Sequence, residues 1–189
     1  MNPIKKNVAL LLLSIAIGIP SESWSQKTTG FKVLNDYKIP SPGGWDYITV
    51  DGANKRVYVS HGTQVNVIST SGDSIGCIPK TTGVHGIALV HALNKGFTSN
   101  GRSNSITVFD LKTLAKTGEI ALTAKNPDAI FYDDFSKKII TCNGGSHDLS
   151  FVDPITEKTV ATVQLGEKLE TAVSDGKGKI FVNGEDNST

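Results

Sequence analysis

The stretch PDAIFYD at residues 127–133 decides the fold, because a stretch of the same pattern occurs three more times in the chain. Each copy is a short run with the residue types of a β-strand. The second residues of successive copies lie 39, 43 and 42 positions apart. The other copies are WDYITVD at 45–51, VHGIALV at 84–90 and LETAVSD at 169–175.

A second landmark recurs with the same drift. An apolar run follows each of these stretches, and successive runs lie 39, 43 and 41 residues apart. The runs are VYVS at 57–60, GFTS at 96–99, IITC at 139–142 and IFVN at 180–183. A period of about forty residues built from short β-runs indicates one supersecondary unit repeated in space, and β-propeller blades have this length.

The third repeat gives the clearest strand order. Polar turns rich in Gly, Asn, Asp and Ser separate its apolar runs, as in an antiparallel meander. The predicted strands cover 129–132, 139–142, 149–152 and 159–165. No stretch between residues 26 and 189 has helical periodicity. The sequence therefore predicts an all-β propeller made of four-stranded antiparallel blades that stack with their apolar faces together.

Two turns after predicted third strands share an Asp-x-x-Thr pattern. They are Asp110-Leu111-Lys112-Thr113 and Asp153-Pro154-Ile155-Thr156. Short oxygen-bearing side chains at these positions accept backbone N–H groups and close a turn. We expect both to be structural.

The repeats amount to about four blades, of which the last is incomplete. The fourth repeat supplies two strands before the sequence ends, and residues 31–39 resemble a lone fourth strand of the kind that ties a ring shut. Three explanations remain open at this point: the sequence is a fragment of a longer protein, a compact four-bladed ring, or one of several copies that assemble into a ring.

The tetrapeptides at the second strands carry a family resemblance. They read Tyr58-Val59-Ser60-His61, Phe97-Thr98-Ser99-Asn100, Ile140-Thr141-Cys142-Asn143 and Phe181-Val182-Asn183-Gly184. With the period and the Asp-x-x-Thr turns, they resemble the YVTN-type (YncE-like) family of exported β-propeller proteins over residues 31–189. The resemblance implies membership of a seven-bladed ring and a binding or scaffolding role.

The first 25 residues have the layout of a cleavable secretory signal. Lys5 and Lys6 precede an uncharged apolar run over residues 8–19, and small residues flank Trp24 just before Gln26. We expect cleavage after residue 25, a propeller over 26–189, and a periplasmic or secreted protein. A retained N-terminal anchor is the alternative. The apolar run is shorter than the length of about 20 residues that a bilayer span requires, and residues 26–189 contain no run of that length.

Charge balance disfavours a nucleic-acid partner. Without Lys5, Lys6 and Glu22, residues 26–189 carry 17 basic and 17 acidic residues and no basic cluster. Nucleic-acid binders usually have a basic excess that neutralises phosphates.

The two cysteines, Cys77 and Cys142, fall at different strand positions of different repeats. Although an exported protein permits disulfides, this placement predicts two buried free thiols. No Cys-x-x-Cys motif is present.

Four polar residues share one register of the repeat, at the leading end of each first strand. They are Asp46, His85, Asp128 and Glu170. Since first strands line a propeller channel, these side chains should meet at one channel mouth. Carboxylates and an imidazole are ligands for a divalent cation. The competing interpretation is a solvated mouth that needs no ligand.

Secondary candidates lie near the same mouth. His61 and His147 are expected in loops after second strands, and Trp45 is expected at the mouth floor or between blades. His91 should lie at the opposite end of the channel. Ser146-His147-Asp148 spells a hydrolase triad, but consecutive residues cannot converge as a nucleophile, base and orienter must.

These observations favour an exported binding or scaffold protein without catalysis. We expect its channel mouth to bind a small molecule, a peptide or a protein. The alternative is a metal-assisted hydrolase, similar to the lactonases, that acts at the axial mouth.

Overall fold

The computed structural model describes residues 30–187, and nearly all of its regular structure is β-strand. The predicted signal at 1–25 lies outside the described residues. The chain divides into two units between Asp36 and Tyr37. Within the first unit, residues 30–36 form no strand, and Phe31 and Val33 are exposed.

The strands of the second unit form three complete blades and half of a fourth. Each complete blade is a meander in which consecutive strands pair antiparallel. Blade 1 contains β1 (Trp45–Asp51), β2 (Arg56–His61), β3 (Gln64–Ser69) and β4 (Ser74–Pro79); blade 2 contains β5 (Val84–Val90), β6 (Lys95–Asn100), β7 (Ser105–Asp110) and β8 (Lys116–Ala121); blade 3 contains β9 (Pro127–Asp133), β10 (Lys138–Asn143), β11 (Asp148–Asp153) and β12 (Lys158–Gln164); the half blade contains β13 (Leu169–Ser174) and β14 (Ile180–Gly184). The predicted all-β propeller fold is confirmed.

The first strands of the blades are neighbours, in the order β1, β5, β9 and β13. A hydrogen bond of 2.8 Å from Thr49 Oγ1 on β1 to the carbonyl of Ile87 on β5 ties two of them together. The first strands therefore form the innermost layer, as the sequence predicts.

The apolar core lies between blades. Tyr58 and Val67 of blade 1 pack with Phe109 and Leu111 of blade 2, and all four side chains are buried. Equivalent clusters join blade 2 to blade 3 and blade 3 to the half blade. A four-stranded meander cannot bury both of its faces alone, so this stacking provides the burial that holds each blade flat against its neighbour.

Both Asp-x-x-Thr turns are structural, as predicted. Asp153 Oδ1 accepts backbone N–H groups of Ile155 at 3.0 Å and Thr156 at 2.9 Å. Asp110 Oδ1 does the same for Lys112 and Thr113. Hydrogen bonds to the charged form hold the pKa of the Asp110 and Asp153 carboxyls below its ordinary value, with the Lys138 ammonium adding to the effect at Asp153.

The described blades do not close into a ring, which argues against the compact four-bladed alternative. On β1, Ile48 and Val50 are 65% and 64% exposed, because none of the blades described in residues 30–187 covers that side. On the half blade, Val173 and Phe181 are 62% and 59% exposed. We call the side of β1 that exposes Ile48 and Val50 the first open face. The side of the half blade that exposes Val173 and Phe181 is the last open face.

Two expectations are wrong. Residues 31–39 form no strand, and the described residues include no blade whose edge they would complete. Cys77 is a free thiol but is exposed, because it lies on the outer strand β4; only Cys142 is both free and buried. In the described part of the chain, no helix is long and apolar enough to span a bilayer.

Candidate functional site

A β-bulge opens every first strand at the predicted mouth register. On β1 the pairing jumps from Trp45 opposite His61 to Ile48 opposite Val59, so that two residues, including Asp46, face one partner. The same shift occurs in β5, β9 and β13, and it contains the other predicted mouth residues, His85, Asp128 and Glu170. A bulge bends a strand and re-aims its side chains.

Side chains of the second strands hold the bulges in place. Ser60 Oγ accepts the N–H of Tyr47 at 2.8 Å, and Ser99 Oγ accepts the N–H of Gly86 at 2.9 Å. In the half blade, Asn183 Oδ1 accepts the N–H of Thr171 at 2.8 Å. These acceptors occupy the third position of the tetrapeptides. The third tetrapeptide position therefore fixes the bulge in blade 1, blade 2 and the half blade, whereas blade 3 has Cys142 at this position.

Three of the four predicted mouth residues come together. His85 Nδ1 lies 2.5 Å from Asp46 Oδ2 and 3.9 Å from Asp128 Oδ1. Each of Asp46, His85 and Asp128 offers a ligand atom, and these atoms lie within 4.8 Å of one another. We call these three residues the mouth group. Blade stacking thus brings one nitrogen and two carboxylates to one point.

Glu170 does not join the mouth group. It lies on the half blade, and its charge still raises the pKa of Asp128 and of Tyr47. Glu170 therefore contributes negative potential to the mouth but no ligand atom to the set.

Burial at the mouth shifts the pKa of the Asp128 carboxyl. Desolvation raises the pKa of its carboxyl to about 6, the charges of Glu170 and Asp46 add to the rise, and His85 opposes it. Asp128 Oδ1 is buried without a hydrogen-bond partner. A carboxylate oxygen in this state is costly to leave charged, and an ion or a proton would satisfy it.

Asp46 and His85 of the mouth group line a pocket of about 420 Å³, and its lining includes two residues that the sequence did not predict, Arg102 and Asn126. Arg102 lies in the short 3-10 turn after β6, and Asn126 directly precedes β9. Neither position carries the same residue type in the other repeats, so comparison between repeats gives no signal for them. We call this cavity the mouth pocket.

Close packing against glycine sets the pocket wall. A side-chain carbon on Gly101 would lie 2.5 Å from Asn126 Oδ1 and 2.7 Å from His85 Nε2. Real side-chain carbons essentially never approach other atoms so closely. The two atoms belong to His85 of the mouth group and to Asn126 of the pocket wall. Because Gly101 has no side chain, the Asn126 amide and the His85 ring both fit beside it.

His61 and Trp45 serve the architecture of the first blade. His61 is the last residue of β2 rather than a loop residue, and it is only 1% exposed. Its ring bonds the Gly43 carbonyl at 2.6 Å and the Ser41 hydroxyl. Trp45 stacks on it with ring centroids 3.6 Å apart, and Trp45 also lines the mouth pocket. The expectation of a solvated loop histidine at 61 is wrong.

The remaining candidates lie apart from the mouth group. His147 sits in the turn between β10 and β11, where its backbone N–H donates to Asn143. Its neighbours form no triad, since Ser146 Oγ accepts the Lys125 N–H and Asp148 bonds Asn143 and Gln164. His91 lies 3.5 Å from Asp51, at the other end of β1, as predicted.

Comparisons with solved structures agree with this architecture. The chain is similar to a structure described as Kuenenia stuttgartiensis hydrazine synthase, with a TM-score of 0.68 and 15% identity over 83% of this chain and 45% of that one. It is also similar to the WD40 β-propeller domain of Doa1, with a TM-score of 0.66 and 12% identity over 76% and 48%. The Neurospora crassa Pan2 WD40 domain gives 0.59 and 15% over 70% and 40%.

No family model and no curated protein matches the sequence. The chain spans less than half the length of each of these three structures. At such low identity the likeness concerns the fold alone, and that fold is the β-propeller.

Proposed function

We propose that this chain is the ligand-binding part of an exported β-propeller of the YVTN type, and that its mouth group holds a divalent cation. The observation that carries the proposal is the convergence of His85, Asp46 and Asp128 within 4.8 Å. Three different blades supply these residues, so any ion held there would also bridge the blades.

The ligand types favour a transition metal over calcium or magnesium. An imidazole nitrogen with two carboxylates suits Zn²⁺ or Mn²⁺, whereas calcium and magnesium prefer sites made of oxygen alone. Two ligands of a tetrahedral zinc lie roughly 3.4 Å apart, given bond lengths of about 2.1 Å. His85 and Asp46, at 2.5 Å, must therefore separate by about 1 Å, as expected if an ion replaces a shared proton.

Calorimetry of the full chain with Zn²⁺, Mn²⁺ and Ca²⁺ tests the proposal. We expect heat of binding for Zn²⁺ or Mn²⁺ and a raised melting temperature, and at least about tenfold weaker binding in His85→Ala, since one ligand is lost. His91→Ala is the matched control, because His91 lies at the opposite end of β1 near Asp51. Absence of heat and of any melting shift, or equal losses in both variants, would refute the cation site.

The export part of the proposal rests on the leader-like residues 1–25. Expression in a bacterium with a periplasm, followed by mass measurement of the exported protein, tests it. We expect a mature chain that begins at Gln26. A full-length protein retained in the cell would contradict export, and retention in the membrane would support the anchor alternative.

A second candidate function is metal-assisted hydrolysis at the mouth. The mouth group supplies three protein ligands, and a site with three protein ligands leaves a position for water or substrate. Assay of simple lactones with the Mn²⁺-loaded protein tests this; turnover that Asp128→Asn does not reduce would exclude this mechanism.

A further inference from the structure

The mouth pocket holds a cationic side chain that has no ion-pair partner. Arg102 lines the pocket together with Asp46 and His85. Among residues 30–187, no carboxylate lies within ion-pair distance of its guanidinium. A planar guanidinium presents a fork of donors that matches a carboxylate or phosphate group.

The backbone places Arg102 with precision. Gly83 adopts a φ of +68°, and a side-chain carbon there would lie 2.6 Å from Arg102 Cβ and 2.8 Å from Arg102 N. Only glycine lets the two segments approach so closely at this backbone angle. The base of the Arg102 side chain is therefore fixed beside the mouth, although the residue as a whole is exposed.

Asn126 adds a neutral polar group on the same pocket wall. Its backbone N–H donates to Asn104 Oδ1 at 2.8 Å, and its carbonyl accepts the N–H of Gly144 at 3.0 Å. These bonds hold its left-handed φ of 50°. The amide of Asn126 can donate to an oxygen atom in the pocket.

The charges around the mouth pocket indicate the sign of the ligand's charge. A divalent ion in the mouth group balances the two carboxylates of Asp46 and Asp128. Arg102, which has no ion-pair partner, then supplies positive charge at the pocket wall, whereas Glu170 acts on the mouth from outside the pocket lining. An ion with three protein ligands also keeps a position for an outside oxygen. Both effects favour an anion.

Resting on the proposed cation site, we infer that the mouth pocket binds a small ligand through an oxyanion group, a carboxylate or a phosphate, which contacts the bound cation on one side and Arg102 on the other. A volume of about 420 Å³ suits a small molecule rather than a peptide. Asn126 orients the group from the wall.

Calorimetry tests this in two stages on the full chain. Mn²⁺ is titrated first; inorganic phosphate and, in a separate arm, acetate are then titrated into the Mn²⁺-loaded protein. We expect at least one oxyanion to bind, and the arms distinguish phosphate from carboxylate ligands. In Arg102→Gln we expect anion binding to weaken at least tenfold while Mn²⁺ affinity stays within about twofold, because Arg102 is not a ligand of the ion. Retained Mn²⁺ binding also shows that the variant is folded.

Lys112→Gln is the matched control, since it removes one positive charge in the turn after β7 at the far end of the blades. It should leave anion binding unchanged. Equal anion affinity in Arg102→Gln and in the unchanged protein would overturn the inference, and so would equal affinity with and without Mn²⁺. Mn²⁺ binding with no anion binding would overturn this inference alone; failure of Mn²⁺ to bind would instead refute the proposed function.

Discussion

The phenol of Tyr47 on β1 and the carboxylate of Asp128 on β9 lie close enough for each to shift the pKa of the other. The Tyr47 ring also packs against the apolar cluster between blade 3 and the half blade. One side chain thus links the first and third blades across the channel. Its burial and its carboxylate neighbours raise the pKa of Tyr47, so the phenol remains a donor at all physiological pH values.

Tyr47→Phe should raise the pKa of Asp128 above its value of about 6, because the neighbouring Tyr47 hydroxyl favours the charged carboxylate. Carboxyl carbon NMR shifts measured against pH give the pKa directly. Tyr132→Phe is the control, since Tyr132 packs in the cluster between blades 2 and 3 and should leave Asp128 unchanged. An Asp128 pKa that falls or stays constant in Tyr47→Phe would contradict the assignment.

Asp128 should make the protein less stable as pH rises from 4 to 7. Its carboxyl has a folded-state pKa of about 6 against an ordinary 3.8. In this window the folded state binds more protons than the unfolded state, so the free energy of unfolding falls with pH. Solvent at the mouth screens the effect, and we expect a loss on the order of 1–2 kcal/mol.

Urea unfolding at pH 4.5 and 7 measures this slope, and Asp128→Asn should flatten it. Asp153 acts in the opposite sense, because its pKa is lowered and its stabilisation disappears only as pH falls below the ordinary range of carboxyls. Asp153→Asn therefore should not remove the slope between pH 4.5 and 7. An unchanged slope in Asp128→Asn would show that another group causes it.

Cation affinity should fall as pH drops below 6. Asp128 must lose its proton to act as a ligand, so protons compete with the metal below the pKa of about 6. The apparent Mn²⁺ affinity should decrease by up to about tenfold per pH unit in this range. Calorimetry at pH 5, 6 and 7 gives the dependence. Affinity that is constant over these values would mean that Asp128 does not bind the ion.

The register of the mouth could be predicted from the sequence because it follows from the period alone. Asp46, His85 and Asp128 meet since equivalent positions of stacked blades converge on the axis. The sequence does not predict the bulges that orient these side chains, because a bulge depends on the pairing between strands. Its one signal in the sequence is a serine or asparagine at the third tetrapeptide position, such as Ser99. Arg102 could not be predicted in this way, because it lies in the turn after β6 and the equivalent turns of the other blades carry other residue types at its position.

The structural role of His61 could have been predicted from its position in the repeat. Asn100 and Asn143 stand at the same place in their tetrapeptides, and both are buried and hydrogen-bonded. This position ends the second strand beneath the mouth, where a polar side chain bonds the neighbouring segments. Comparing His61 with these asparagines, rather than reading it as an isolated histidine, predicts a structural role.

Asn143→Ala should destabilise the fold by about 2–4 kcal/mol, because it removes several buried hydrogen bonds and leaves their partners unsatisfied. Asn143 Oδ1 accepts from Thr141 at 2.9 Å, and Nδ2 donates to Asp148 at 2.6 Å and Ser150 at 2.9 Å. Urea unfolding measures the change. Asn183→Ala is the control, since Asn183 is exposed and accepts one backbone bond. A loss below about 0.5 kcal/mol in Asn143→Ala would show that the network is dispensable.

The last open face should make the isolated chain self-associate. Val173 and Phe181 pair across β13 and β14, and both are more than half exposed. An apolar sheet face with unpaired strand edges promotes association between chains. Val173→Thr combined with Phe181→Ser should lower the fraction of oligomer or aggregate in sedimentation velocity, with little change in folding, because these side chains contact few neighbours. Ile155→Thr, which alters an equally exposed residue in the β11–β12 turn, should leave association unchanged. A sharp monomer boundary for the unchanged protein would contradict the expectation outright.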